Sequence, residues 1–327
     1  MKKFLCILVM LIMVFCFASY ASAEAEFVIR ASLDNAPTEP GPIAFEHFKK
    51  VVEEKSNGRI EVQIFTAGAL GGERDVLEGL QLGTVQICVP SCGILTNFVP
   101  SLSLFSLPFL FETREHMYAV LDSEIGMGFA KGLAEHGFVL LGYYDIGSRN
   151  ILTTKKVINS LADLKGLKIR MMEIPAHIDA FKALGASPLP MAYAEVYTAM
   201  ETGVIDGMEA ANSNYYAKKF YEVAPNYAIV GWTRLVGPIV MSKLMYDKMP
   251  PDLQKLLSDT AKETAKIERE LYEKACEETL VLLEKAGVNV TYPDVAPFRE
   301  AVKVVYDKWA DIIGGREKID EVVNFVY

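Results

Sequence analysis

One arginine at the end of a short apolar segment is the residue in this chain best suited to chemistry. Arg170 closes the run DLKGLKIR, where a strand would be expected to continue with a hydrophobic residue. A buried or half-buried guanidinium is tolerated when it is paired, and its planar fork matches a carboxylate with two parallel hydrogen bonds. Arg170 therefore predicts either an anion site or an ion pair with an acid of the same domain, and the residue alone favours neither.

Sequence patterns that indicate nucleotide binding or catalysis do not occur in the chain. It has no Gly-x-Gly-x-x-Gly that opens a helix, no phosphate-binding loop and no Gly-x-Ser-x-Gly nucleophile elbow. The four histidines lack His-Glu-x-x-His spacing, and each is better interpreted as a surface or packed residue. We therefore predict that the protein is not an enzyme and that it carries no cofactor and no metal.

The N-terminus has the pattern of an export signal. Lys2 and Lys3 precede an apolar run over 4–17, and Ala-Ser-Ala at 21–23 is a small-x-small cleavage pattern. Residues 1–23 are thus predicted to be a signal peptide, and the mature protein to be soluble and exported. No later segment approaches the roughly 20 apolar residues of a spanning helix.

Charge and cysteine content narrow the choice of partners. The formal net charge is −9, and losing Lys2 and Lys3 with the signal would make it −9 − 2 = −11. Such a surface repels nucleic acid and anionic lipid, so a small anion would need a local site. Cys88, Cys92 and Cys276 would remain and do not form a disulfide framework. We interpret them as small buried hydrophobic residues, with Cys92 a candidate for lining a pocket.

The elements that must position Arg170 alternate between strand and helix. Apolar alternation predicts strands at 26–32, 59–65 and 85–89, separated by helices at 43–56 and 73–82. This order is typical of an α/β fold with a mostly parallel sheet and helices on both faces.

An internal similarity predicts two such units. Residues 77–86 and 197–206 each fit a helix, a glycine at its C-terminal end and a strand that opens with β-branched residues. Chance similarity is the alternative, since a glycine in that position is common. Extended segments at 143–154 and 232–242 would cross between the two lobes. An amphipathic helix over about 251–286, roughly 50 Å long if continuous, would brace both.

Five segments resemble those of DctP-type solute-binding proteins, which serve tripartite ATP-independent periplasmic (TRAP) transporters. They occur in the family's order along the mature chain and are LGGER (70–74), SLPFLF (106–111), DLKGLKIR (163–170), PMAYAEVY (190–197) and TGVIDG (202–207). The resemblance implies a two-lobed periplasmic-binding-protein fold with a ligand cleft and a long helix spanning both lobes. The expected boundaries are 24–147 with 236–275 for lobe I, and 148–235 with 276–327 for lobe II.

The resemblance also implies a set of ligand-binding residues. Arg170 matches the arginine that clamps the ligand carboxylate, and Arg149 is a second cation nearby. Tyr193 falls where the family packs an aromatic ring against the ligand, with plain core packing as the alternative. Asn35 and Glu73 match positions that bind ligand hydroxyls. Glu73 also begins a predicted helix, where an acid is favoured in any case.

At one position the chain departs from the family pattern. Many relatives carry an asparagine that assists the carboxylate, whereas this chain has Ala210. Asn212 and Asn214 are candidate substitutes, or the arginines act alone. Trp232 is expected near a further contact position as an apolar wall, and Glu209 is a candidate for anchoring the hinge.

We therefore predict a monomeric periplasmic subunit of a TRAP transporter that captures a small organic acid and delivers it to a membrane permease. A sugar acid such as a uronate or aldonate is favoured, because Asn35 and Glu73 suit hydroxyls. A four-carbon dicarboxylate comes next, and a keto acid or aromatic acid stays open. Two further hypotheses are an exported hydrolase with Glu73 and Glu209 as paired carboxylates, and a sensory subunit that presents ligand to a membrane receptor.

Overall fold

The fold is described over residues 25–327 of a computed structural model. The predicted signal peptide lies outside the described residues. Across the described range, no helix is both long enough and apolar enough to cross a membrane.

The strands of this range form one mixed sheet of nine strands. The strands are β1 (Phe27–Ser32), β2 (Ile60–Phe65), β3 (Ile87–Cys88), β4 (Phe138–Thr153), β5 (Lys168–Met171), β6 (Ser187–Pro190), β7 (Gly207–Ala210), β8 (Asn226–Ser242) and β9 (Asn289–Thr291). Their order in the sheet is β2-β1-β3-β8-β4-β7-β5-β6, with β9 beside β8. β1 pairs in parallel with β2 and β3, and β5 pairs in parallel with β6 and β7.

Two long strands connect the ends of the sheet. β4 and β8 pair antiparallel from Phe138 opposite Ser242 to Thr153 opposite Asn226. β3 joins the last residues of β8, and β7 joins the last residues of β4. Both strands therefore belong to both halves, which confirms that these segments cross. We use lobe I for the end built on β1–β3 and lobe II for the end built on β5–β7; the residue boundaries of the lobes stay a prediction.

Helices pack against both ends of the sheet. Those before the second crossing strand are α1 (Pro40–Lys55), α2 (Glu73–Leu82), α3 (Cys92–Leu95), α4 (Arg114–Asp122), α5 (Glu124–Met127), α6 (Ala130–Glu135), α7 (Pro175–Ala183), α8 (Val196–Glu201) and α9 (Asn212–Ala217). Those after it are α10 (Lys243–Tyr246), α11 (Pro251–Lys285), α12 (Ala296–Ala301), α13 (Lys303–Ile313) and α14 (Arg316–Val323). Short 3₁₀ turns lie at Pro100–Ser106, Leu161–Leu164, Tyr193–Glu195 and Phe220–Glu222.

The predicted long helix is confirmed as α11. It runs without interruption over 35 residues and contacts α1 in lobe I and α9 in lobe II, as well as β4. In its middle, Arg269 donates to the carboxylate of Asp122 and to the backbone oxygen of Tyr143. The helix therefore braces the crossing strands as well as the two lobes.

The internal similarity predicted from the sequence is confirmed by matching hydrogen bonds. In lobe I, the side chain of Gln86 accepts from the backbone N–H of Arg30, and the N–H of Gln86 donates to Arg30 O. In lobe II, Asp206 makes the same two bonds with Lys168. The two units thus share one register, in which Arg30 and Lys168 are equivalent.

Candidate functional site

A cavity of about 700 Å³ lies between the lobes, a volume typical of small-molecule sites. Its walls combine residues that end or follow the parallel strands with residues of β4 and β8. Lobe I contributes Asp34, Asn35, Gly72, Glu73, Arg74 and Ser91. Lobe II contributes Arg170, Met172, Glu173, Met191, Tyr193 and Lys218, and the crossing strands contribute Ile146, Arg149 and Leu235.

Arg170 occupies the wall of this cavity on β5 and is 3% exposed. Its Nε donates to the backbone oxygen of Met191 at 2.9 Å. Within residues 25–327, its terminal nitrogens Nη1 and Nη2 make no hydrogen bond and no ion pair. Burial lowers the pKa of Arg170, while Glu209 and Tyr193 act in the opposite direction. The guanidinium is therefore held at one edge, and its forked edge is available to an anion.

Arg149 also lies in the wall and is 4% exposed, but it is paired. Its Nε donates to Oε2 of Glu209 at 2.5 Å, and its Nη2 donates to Oε1 and to the backbone oxygen of the same residue. Its Nη1 donates to Asn214 at 3.1 Å. Burial opposes the charge, yet the Glu209 carboxylate holds the pKa of Arg149 above its ordinary value. Four of its five N–H groups are engaged, which leaves one for a ligand.

Three carboxyl groups of lobe I line the same cavity, and those of Glu73 and Asp34 are less exposed than that of Asp75. Glu73, at the start of α2, accepts from the backbone N–H of Ser91 at 2.8 Å and from its hydroxyl at 2.9 Å. Asp34 follows β1. Burial raises the pKa of Asp34 to about 7, with Glu73 acting in the same direction and Lys218 and Arg170 against it. Burial also raises the pKa of Glu73. These groups suit hydroxyls of a ligand, which donate to carboxylates.

A hydrogen-bonded chain links the lobes beside the cavity. Glu39, buried ahead of α1, accepts from Asn35 at 3.3 Å and from Asn214 on α9. Asn214 in turn accepts from Arg149. Asn35 and Asn214 therefore line the cavity with part of their hydrogen-bonding capacity already used, and of the two asparagines that the sequence offered near Ala210, Asn214 is the one in the wall.

Tyr193 lines the cavity between two cations. The centroid of its ring lies 5.6 Å from the guanidinium carbon of Arg170 and 5.3 Å from Nζ of Lys218, distances at which cation–π attraction operates. Phe220 packs edge-on against the ring. The hydroxyl of Tyr193 is buried and has no hydrogen-bond partner in the described part of the chain. The aromatic ring thus occupies the wall as the resemblance implied.

Four candidate residues are not among those that line the cavity. Trp232 is 0% exposed and packs edge-on against His177 and Phe181 in the core, while Leu235 of the same strand reaches the cavity instead. The other three are Cys92, a buried free thiol, Ala210, buried within β7, and Asn212, which bonds to Cys276 and Tyr227. The structure corrects their expected placement: strand alternation turns Trp232 and Ala210 into the interior, Cys92 is buried in α3, and hydrogen bonds hold the half-buried Asn212 outside the wall.

The carboxylate pair required by the hydrolase hypothesis does not meet in the cavity. Glu73 lines it, whereas Glu209 is 0% exposed and bonded to Arg149. Sequence reasoning missed Asp34, Ser91 and Lys218 as parts of the wall. Asp34 had a signal, since it directly follows the first predicted strand, where parallel sheets place ligands. Lys218 had none, because the packing of α9 alone brings it there.

This arrangement of lobes and cleft is that of a solute-binding protein. Residues 32–311 match the model of the DctP family, described as bacterial extracellular solute-binding protein, family 7. The chain belongs to this family, as its sequence motifs predicted. Its likeness to solved TRAP periplasmic solute-binding proteins confirms the two-lobed α/β fold.

Individual relatives match over most of their length. The chain is similar to the uncharacterized protein YiiZ of Salmonella typhimurium, with 36% identity over 272 residues and 83% of each chain covered. Among solved structures, it is similar to a TRAP periplasmic solute-binding protein of Sulfitobacter sp. NAS-14.1 with bound β-D-galacturonate. That match has a TM-score of 0.86 and 32% identity and covers 91% of this chain and 98% of the other. A Polaromonas sp. JS666 protein bound to D-erythronate gives a TM-score of 0.89 with 29% identity, covering 92% and 99%.

Proposed function

We propose that the protein is the periplasmic substrate-binding subunit of a TRAP transporter and that it captures a sugar acid, a uronate or an aldonate, by its carboxylate. The observation that carries this proposal is Arg170, buried in the cavity wall with its forked edge unengaged by the described residues. Galacturonate and erythronate, bound by two of the similar proteins, combine one carboxylate with several hydroxyls. The cavity offers one cationic wall and one carboxyl-lined wall for those two kinds of group.

The cationic wall and the carboxyl-lined wall bind opposite ends of the ligand. The ligand carboxylate takes two hydrogen bonds from Arg170 and a third from the remaining N–H of Arg149. Hydroxyls at the other end donate to Glu73 and Asp34 of lobe I. A ligand held by both lobes favours the closed form, because it interacts with that form more strongly. An unpaired Arg170 in a closed, water-poor cleft would cost about 3–5 kcal/mol, so the empty protein rests open.

The remaining parts of the proposal concern place and partners. The predicted signal peptide and the description of the family as extracellular support a periplasmic location. Its partner is a TRAP membrane permease, to which it delivers unmodified ligand. It binds and releases ligand without turnover.

Replacing Arg170 with lysine tests the proposal. Arg170→Lys keeps the charge and loses the two-pronged geometry, so affinity for D-galacturonate or an aldonate should fall by about 100-fold or more, while the fold is kept. Isothermal titration calorimetry measures the affinity, and a thermal-shift screen of sugar acids selects the ligand. Arg30→Lys is the matched control, because lysine already occupies its equivalent in lobe II. Unchanged affinity of Arg170→Lys would refute the clamp.

A further inference from the structure

Apart from the exposed Arg74 and Glu173, the charges that face the cavity are sorted by lobe. Arg170 and Lys218 of lobe II both lie within 6 Å of the Tyr193 ring centroid, which groups the two cations on one wall. Asp34 and Glu73 stand on the lobe I wall, where the charge of Glu73 raises the pKa of Asp34. The cavity therefore has a cationic wall on lobe II and an anionic wall on lobe I.

Other charged groups in or near the walls are already engaged. Arg149 is paired with Glu209, and Arg74 lies 3.4 Å from Glu78 and 4.0 Å from Glu173. Asp75 accepts from the backbone N–H of Gly72, and Glu39 accepts from Asn35 and Asn214. Arg74 is the lobe I cation among these groups, and because its side chain is 62% exposed and ion-paired, solvent screens its effect on Asp34 and Glu73.

We propose that Asp34 and Glu73 make the site selective for monocarboxylic sugar acids over dicarboxylic acids of the same carbon chain, an inference that rests on the proposed function. A six-carbon aldonate that places its carboxylate on Arg170 brings a hydroxymethyl group toward lobe I, and a hydroxyl donates to a carboxylate. The matching aldarate brings a second carboxylate instead, which only accepts hydrogen bonds. Whichever carboxylate of the aldarate takes Arg170, the other meets like charge at lobe I, a repulsion that suppresses wrong ligands.

The selectivity should relax in acid. Burial and the charge of Glu73 raise the pKa of Asp34 to about 7, against the opposing effects of Lys218 and Arg170. A protonated Asp34 carries no charge and donates a hydrogen bond, so it accepts the second carboxylate of an aldarate. The aldarate remains ionised, and its relative affinity therefore rises as the pH falls below 7.

The test compares two ligands that differ at one carbon. Calorimetric titration at pH 7.5 with D-galactonate and with galactarate should show tighter binding of galactonate by tenfold or more, that is about 1.4 kcal/mol or more. Asp34→Asn and Glu73→Gln should each lower the ratio of the galactonate affinity to the galactarate affinity. In the wild type the ratio should also shrink between pH 7.5 and pH 5.5, and in Asp34→Asn it should change less.

Glu54→Gln is the matched control, because it removes one exposed charge of lobe I, near the end of α1, without lining the cavity, and it should leave the ratio unchanged. Galactarate binding as tightly as galactonate would overturn the selectivity, as would a ratio that survives both Asp34→Asn and Glu73→Gln with intact melting transitions. Either result leaves the proposed function standing if galactonate or D-galacturonate binds. If neither binds, the proposed function and this inference both fall.

Discussion

The carboxyl-terminal ends of β1 and β5 have equivalent backbone positions but carry side chains of opposite charge. In lobe I the side chain of Gln86, just before β3, accepts from the backbone N–H of Arg30. In lobe II the side chain of Asp206, just before β7, accepts from the backbone N–H of Lys168, so Arg30 and Lys168 are equivalent positions. Two residues further along, lobe I has Ser32 and lobe II has Arg170. Two more residues along, lobe I has Asp34 where lobe II has Met172. A repeated αβ unit thus supplies two equivalent strand ends, and single side chains make one end anionic and the other cationic.

The largest expected effect separates the two buried arginines of the cavity. Arg149→Met leaves the carboxylate of Glu209 buried and unpaired, so the free energy of unfolding should fall by about 3–5 kcal/mol. Arg170→Met removes a cation that has no anionic partner among the described residues, so the ligand-free protein should be as stable as the wild type or more stable. Urea denaturation without ligand measures both.

A double variant checks the cause of that difference. Arg149→Met combined with Glu209→Gln removes the stranded charge and should recover part of the lost stability. If Arg170→Met destabilised the protein as much as Arg149→Met does, Arg170 would be a structural arginine and the contrast between the two would fail.

A smaller effect tests the equivalence of the repeated units. Gln86→Ala and Asp206→Ala each leave a backbone N–H, that of Arg30 or of Lys168, without its side-chain acceptor. Each should lower the free energy of unfolding by about 1–2 kcal/mol, with the larger loss for the charged acceptor Asp206. Chemical denaturation of both variants measures this loss. A variant with an unchanged free energy of unfolding would show that its side-chain hydrogen bond to the backbone N–H is dispensable.

The pH dependence of Asp34 tests the anionic end of the comparison. Its pKa is near 3.8 in an unfolded chain and about 7 in the folded protein, so between these values the folded state binds more protons. Stability contributed by this group therefore falls as pH rises from about 4 to 7. Asp34→Asn should gain melting temperature relative to the wild type at pH 8 and lose that advantage at pH 5. A difference that stays constant with pH would contradict the raised pKa.

Local signals predicted most of the elements. The helix at 73–82 matches α2 at both ends, because an acid follows Gly72 and a left-handed Gly83 closes it. The predicted strand over 85–89 is reduced to Ile87–Cys88, and the crossing strands begin earlier than predicted. Periodicity reports which side chains are apolar, while the length of a strand depends on which neighbour satisfies its backbone groups.

For the candidate site, the sequence predicted the position of some residues correctly and of others wrongly. Arg170, Arg149, Glu73, Asn35 and Tyr193 all line the cavity, whereas Trp232 lies in the core, and contact of these five with a ligand stays a prediction. Arg149 was expected as a cation for the ligand and is instead largely taken by Glu209. The pattern around each residue gives its strand and approximate depth, but it does not show which acid lies opposite.

The sequence by itself determined the αβ repeats, the long helix and a guanidinium at the end of a strand, since these depend on residues close together in the chain. The tertiary structure alone decided that Glu209 neutralises Arg149 across 60 positions and that Lys218 joins Arg170 beside one tyrosine ring. Whether a buried arginine is satisfied or available is a property of its spatial neighbours, and those are set by how β4, β7 and α9 pack.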